Sequence, residues 1–396
     1  MTRPARGAAA PRARAPTHWL ADAGPARVPA VAQLPARAGV VVVGGGVAGA
    51  ALAYWLARDG IEVLLLEARL PGWGASGRNA GLLLAARSPL EDPALLRSVL
   101  AAEGIDAEHA EPGHLALART PAVWERMQQE IAARPADAPP LRLLTPDACR
   151  DLLGMRIDPG FLGGRWLPGG AVIHPARFVH GLLGAAVRHG AGFAPRTPVR
   201  AVLPRRGGVW VETARGRVRA DQVVLACHGR SALLRGWFGR VLTPVRAQVL
   251  STRPLPPVFP MGMAVDWGSL YWRQARGGAV VLGGCRGLDP AGETGARHTL
   301  HPAIQAELEA FLPQAFPGLP PVTVARRWAG VMDETPDGRP LAGRVPGARG
   351  VWVSAGFGGH GLPPALGVGR ALARAIAAGA GPEGLEAMDP ARWRGR

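Results

Sequence analysis

The run Val40-Val41-Val42-Val43-Gly44-Gly45-Gly46-Val47-Ala48-Gly49 reads as a strand, a tight turn and the opening of a helix. Four consecutive valines suit a parallel strand buried on both faces. The glycines fit the spacing G-x-G-x-x-G. Gly44 permits the turn, Gly46 lets backbone approach a pyrophosphate, and Gly49 lets the helix, opened by Val47 and Ala48, pack close on the strand. Apolar residues at Val47, Ala51, Leu52, Trp55 and Leu56 then recur at three- and four-residue spacing. A second strand runs from Glu62 to Leu66 and ends at Glu67, eighteen residues after Gly49. A carboxylate at that distance accepts hydrogen bonds from ribose hydroxyls and repels a 2′-phosphate. Together these features predict a dinucleotide-binding unit that disfavours NADP. They do not separate NAD from FAD.

The same stretch contains twenty uncharged residues, 38–57, enough for a membrane span. Three glycines in its middle fit a strand–turn–helix unit and not a span, so no membrane span is expected. Residues 1–37 form an extension rich in Arg, Ala and Pro, expected to be partly disordered, up to about residue 16. It has no apolar segment of signal-peptide length. Cys149, Cys227 and Cys285 lie far apart and form no CxxC pair, which points to a reducing compartment and a cytoplasmic location. His298-x-x-His301 is the one metal-like spacing, and a loop pair of this kind is read as solvated; no metal is expected.

With 48% apolar and 19% charged residues, the composition is that of a folded chain long enough for two domains. The net charge of +17 resembles a nucleic-acid signature, but all 46 basic residues are arginines spread evenly along the chain. That is a composition bias and not a clustered phosphate-binding face, so no specific nucleic-acid partner is expected.

After Glu67 the chain reads Ala68-Arg69-Leu70-Pro71-Gly72-Trp73-Gly74-Ala75-Ser76-Gly77-Arg78-Asn79-Ala80-Gly81. This resembles the "GaSgrNgG" loop of the D-amino-acid oxidase-like (DAO) superfamily of flavoenzymes. With His18-Trp19-Leu20 upstream, it is nearest the glycine/sarcosine oxidase and γ-glutamylputrescine oxidase-like branch. Further matches follow in order: Ile173-His174-Pro175-Ala176-Arg177-Phe178, Pro198-Val199, and Asp221 to Gly229 with Ala226 before its end. Thr243 to Val249, Tyr271-Trp272-Arg273 with Gly283-Gly284, and Arg327 to Gly330 with Thr335 to Gly343 continue the series. Gly356-Phe357-Gly358-Gly359-His360-Gly361 closes it, ahead of a helix over 363–378.

The resemblance implies an α/β (α+β) fold: a Rossmann-like FAD-binding domain from 38–90, 165–240 and 325–396, and a substrate domain from 91–164 and 241–324. The latter is expected to carry a mostly antiparallel sheet. It implies FAD held by Gly44, Gly46, Val47, Ala48, Gly49, Glu67, Ala68, Ser76, Gly77, Arg78, Asn79, Gly81, Val199, Ala226, Gly229, Gly356, Gly358, Gly359, His360 and Gly361. Ser76, Arg78 and Asn79 are expected as donors to phosphate or flavin. Backbone N–H groups of Gly358 to Gly361 are expected to answer charge on the reduced ring. His360 is read as a proton acceptor or a lining of the flavin edge, Arg273 as a grip for a substrate carboxylate or a surface residue, and Tyr271 and Trp328 as pocket walls or core. Cys227 and His228 are read as space-filling.

The implied reaction is oxidation of a CH–NH bond of a small amine or amino acid, with oxygen or another electron acceptor taking the electrons. A CH–OH dehydrogenase for a hydroxy acid or polyol phosphate, or a non-catalytic flavin-binding subunit of an amine dehydrogenase, are the alternatives. Two departures refine the reading. Met332 stands where glycine oxidase-like relatives place a carboxylate-binding arginine, which favours an amine and leaves Asp333 or Glu334 to attract an ammonium. No cysteine follows Cys285, so FAD is expected to be non-covalent, unlike the cysteine-tethered flavin of sarcosine oxidase.

Overall fold

The valine run is paired on both sides. In the computed structural model, which describes residues 17–84, 90–135, 138, 140–228, 236–381 and 383–395, Arg37–Val43 lies between two parallel partners. These are Gly216–Leu225 and Val63–Leu66. The parallel series continues to Gly192–Ala194 on one flank and Val351–Ala355 on the other. Leu341–Arg344 adds an antiparallel edge, and the hairpin of Val199–Arg205 and Gly208–Thr213 pairs with Gly216–Leu225. Val40 to Val43 are all buried, as a central parallel strand covered on both faces requires.

Val47–Arg58, Pro175–Arg188 and Ala365–Ala378 share one apolar core against this sheet. Val47–Arg58 packs against both other helices and is buried almost all round. Gly369 allows the close crossing, because a Cβ there would lie 3.1 Å from Ala51 backbone. The uncharged stretch 38–57 is thus split by its glycine turn into strand and helix. No helix among the described residues is long and apolar enough to cross a membrane.

The second sheet has the strand order Val324–Glu334, Thr243–Thr252, Val280–Gly284, Leu270–Gln274, Gly262–Val265, His114–Ala118, Gly163–Leu167, Arg142–Leu144. Every pairing is antiparallel except that of Gly262–Val265 with His114–Ala118, so the expected mixed α/β architecture with a mostly antiparallel second sheet is present. One face carries an apolar core with Pro302–Ala315, where Trp272, Phe311, Phe316 and Phe259 meet edge to face. The expected boundaries at 165 and 325 need correction. They cut Gly163–Leu167 and Val324–Glu334, and hydrogen bonding assigns both strands to the second sheet. We propose a division that follows the pairing and keeps each strand whole.

The part of the extension expected to be disordered, up to about residue 16, lies outside the described residues. His18–Ala23 is a short helix capped by Thr17, whose hydroxyl also donates to Gly77 O at 2.9 Å. Trp19 is fully buried and its indole N–H donates to Asn79 O at 2.6 Å. An aromatic side chain supplies the burial energy that the Arg, Ala and Pro around it lack.

His114, on the other face of the second sheet, is 3% exposed and its Nε2 has no hydrogen-bond partner among the described residues. Burial, with the Arg165 charge adding to it, pushes its pKa down to about 3. An unfolded histidine titrates near ~6.5. The native state is therefore fully favoured above that pH and loses stability as pH falls from 6.5 toward 3, by at most about 1.4 kcal/mol per pH unit. Between pH 7 and 4.5, His114→Leu is expected to lose about 2 kcal/mol less than wild type, measured by denaturant unfolding at both pH values. Equal losses in the two proteins would contradict this.

Candidate active site

The glycine turn is built as a cradle. Gly44 has φ +116° and a Cβ there would lie 2.5 Å from Ala226 O. A Cβ on Gly49 would collide with Gly44 O, so only glycine lets the helix start this close to the strand. Glu67, at the end of the second strand, accepts Gly45 N–H at 2.6 Å and Arg69 N–H at 2.7 Å. Glu67 is half-buried, and a carboxylate can accept more than two hydrogen bonds, as a ribose ligand needs. Exposed Ala68 follows it, and Thr197 N–H donates to Glu67 O two residues before Val199. Ser76 Oγ accepts Val47 N–H at 2.9 Å at the positive end of Val47–Arg58. Glycines that admit no Cβ, a helix N-terminus lined by the Ser76 hydroxyl and an adjacent acid fit the phosphate and ribose portion of FAD. Gly229 lies outside the described residues.

The loop after Glu67 is more self-sufficient than its donors suggest. Asn79 Nδ2 donates to Ala75 O and Ser76 O, and its Oδ1 accepts Gly81 N–H. These bonds hold the loop together and correct the expectation of Asn79 as a side-chain donor to cofactor. Gly77 and Gly81 leave no room for a Cβ against Gly72 O and Ile173 O. Arg78 is 4% exposed and donates from Nε to Trp73 O and from Nη1 to Ala329 O. Burial, with Arg69 nearby, lowers its pKa to about 10. No carboxylate pairs with it among the described residues, so its charge suits an anionic ligand.

A row of directly paired residues crosses the second sheet: Trp328, Val249, Gly283, Tyr271, Ala264, Ala116 and Arg165. Such partners share one face, and Trp328 turns that face toward the loop by donating its indole N–H to Arg78 O at 2.9 Å. Sequence reading thus named two members of the row, Tyr271 and Trp328. Tyr271 lies across Gly283, where a Cβ would meet its ring at 2.8 Å. Burial, with Cys285 contributing, pushes its pKa up to about 12, so the hydroxyl stays protonated.

Arg273 needs correction. It is 4% exposed, donates from Nε to Ala80 O and from Nη2 to Ile173 O, and stacks 4.5 Å from the Trp19 ring. A guanidinium committed to backbone carbonyls on two sides is a strut between loop and sheet and is neither a surface residue nor a carboxylate grip.

The closing loop has Gly356, Gly358 and Gly359 at positive φ. Gly358 N–H donates to Asp333 O and His360 N–H to Phe357 O, both at 2.9 Å. Of the four N–H groups expected to face the reduced ring, those of Gly359 and Gly361 have no hydrogen-bond partner among the described residues. His360 is exposed, with Nδ1 3.1 Å from Gly358 O. A Cβ on Gly359 would lie 3.0 Å from Met332 Sδ, so Met332 reaches this loop. Asp333 and Glu334 are engaged elsewhere, correcting their reading as ammonium sites: Asp333 Oδ2 lies 3.1 Å from His228 Nδ1, and Glu334 accepts from Arg286 at 2.6 Å. His228 is therefore more than a space-filler. The only signal for it was a histidine where small residues are usual. His301 caps Pro302–Ala315 and contacts Asp289, while His298 meets Ala329 O.

The family model for DAO, FAD-dependent oxidoreductase, matches residues 39–375. The chain belongs to that family. It is 28% identical to mitochondrial dimethylglycine dehydrogenase of Mus musculus over 388 residues, covering 90% of this chain and 44% of that protein. It thus spans under half the length of the dimethylglycine dehydrogenases it matches. Sarcosine oxidase subunit beta of Rhodobacter capsulatus is 25% identical, with 88% and 87% covered. Glycine oxidase from Geobacillus kaustophilus superposes with a TM-score of 0.79 at 22% identity, covering 90% of this chain and 98% of that one, a likeness of fold. As in the family, FAD is the cofactor.

Gly49→Val is expected to raise the Kd for FAD at least a hundredfold, read by titrating the FAD-free protein with FAD. Wild-type affinity in this variant would refute the assignment of the turn.

Proposed function

We propose that the chain oxidises the CH–NH bond of a small amine, most readily an N-substituted one, with non-covalently held FAD. When bound, the cofactor supplies the hydride acceptor at N5. The relatives named for dimethylglycine and sarcosine support the amine class. The choice within it is supported by Met332, whose sulfur approaches the Gly359 loop and which, by the sequence resemblance, stands where relatives carry a carboxylate-binding arginine. A thioether offers no charge to an α-carboxylate, so binding rests on apolar contact with the amine substituents.

The chain's own groups supply the rest. Tyr271 and Trp328 wall the substrate side, and burial there disfavours an ammonium, which keeps the amine in the neutral form that can release hydride. The Tyr271 hydroxyl remains a hydrogen-bond donor in that setting. Gly359 and Gly361 offer N–H groups at the ring end, where negative charge develops on reduction. Cytoplasmic location is part of this proposal, supported by three cysteines that form no disulfide. Oxygen or another acceptor completes the cycle.

Mixed without oxygen with a panel of donors, the FAD-loaded protein is expected to lose its flavin absorbance with N-methylated amines and to keep it with 2-hydroxy acids. Bleaching by hydroxy acids alone, or by no donor, would refute the reading. Met332→Arg is expected to raise kcat/KM for α-amino acids roughly tenfold relative to N-alkyl amines, the worth of one charge-assisted hydrogen bond.

A further inference from the structure

His228, three residues past the end of Gly216–Leu225 in the first sheet, meets Asp333 of Val324–Glu334 in the second. Asp333, near the end of Val324–Glu334, is 1% exposed. A buried carboxylate needs a partner, and its Oδ2 lies 3.1 Å from His228 Nδ1. With Nδ1 engaged by Asp333, Nε2 is the ring atom left for another group. His228 is held at φ +46°, a conformation that non-glycine residues adopt rarely and that clusters at functional sites. Its side chain keeps 24% of its surface exposed, so the ring is not sealed in.

Each partner is also tied to a segment of the cofactor tract. His228 stands two residues after Ala226, whose carbonyl fills the space beside Gly44. Asp333 accepts Gly358 N–H on its main-chain oxygen, at 2.9 Å. Its neighbour Met332 reaches Gly359. One residue therefore fixes an imidazole through its side chain and the closing glycine loop through its backbone.

We propose that His228 and Asp333 form a positioning unit for bound FAD, in which Asp333 orients both the closing loop and the imidazole, and His228 Nε2 presents a hydrogen-bonding group to the ring end of the cofactor. The inference rests on the FAD assignment and is independent of the amine reading. Reduction changes the charge at the ring end, so a hydrogen bond there weighs the two redox states unequally and its loss moves the reduction potential.

The test uses the full-length FAD-loaded protein and three variants: Asp333→Asn, His228→Asn and the double. Asn tolerates a left-handed backbone, so His228→Asn keeps the local fold, and Asp333→Asn keeps the Gly358 contact. Potentials are read by equilibration with a reference dye, so no amine enters the experiment. Each single variant is expected to change the ratio of affinities for oxidised and reduced FAD about tenfold, a shift of about 30 mV for two electrons. The double variant is expected to match the singles, as members of one unit do. Unshifted potentials in both singles, or an additive double, would overturn the proposal. Should Asp333→Asn not fold, the potential of His228→Asn decides alone. Should no variant retain FAD, titration decides: a Kd raised tenfold with an unchanged melting temperature of the FAD-free protein supports the unit. A loss of affinity matched by a fall in that temperature overturns it.

Discussion

Arg78 and the Trp328–Ala329 segment exchange hydrogen bonds in both directions: the guanidinium donates to Ala329 O, and the indole of Trp328 donates to Arg78 O, each at 2.9 Å. This reciprocal contact joins the loop that follows the dinucleotide fingerprint to the second sheet. It is buried, so each bond is shielded from water and each lost partner would leave an unsatisfied group. Gly330 permits it, since a Cβ there would press on the Arg78 side chain at 3.2 Å. Arg273 repeats the device a few residues on, bonding Ala80 O and Ile173 O. The spacing between this loop and the second sheet is therefore held by two arginines acting as spacers between backbones.

That use of arginine bears on the chain's composition. Arg69 and Arg78 both lie near the Trp73 ring, at 5.2 and 5.7 Å, and Arg126 and Arg165 both lie near Trp267, at 4.9 and 4.4 Å. A planar, weakly hydrated cation can be stacked and buried where an ammonium resists it. In a chain with no lysine, some of the positive charge that suggests a polyanion surface is spent inside the molecule. The buried charge of Arg78 lacks a carboxylate partner among the described residues, and an anionic dinucleotide beside the loop would offset it.

Much of this was legible beforehand because it depends on local rules. Gly44, Gly49 and Glu67 have fixed spacing and fixed reasons, and Tyr271 and Trp328 sit on strands whose alternation is visible in the sequence. What stayed hidden depends on long-range pairing. Asn79 and Arg273 carry polar groups that suit a ligand, and only the fold shows those groups already taken by Ala75, Ser76, Ala80 and Ile173. His228 and Asp333 are 105 residues apart, and nothing local to either announces the other. The boundaries at 165 and 325 missed for the same reason, since a strand's sheet is decided by partners far along the chain.

The proposed chemistry depends on FAD lying along the Gly44 turn and Glu67 with its ring at the Gly359 loop. The most direct measurement is the flavin content of the natively purified chain, by visible absorption before and after denaturation. One FAD per chain, released intact into the supernatant on unfolding, is the predicted result. A colourless protein that takes up no FAD when it is supplied, or a flavin that stays attached to the unfolded chain, would contradict it.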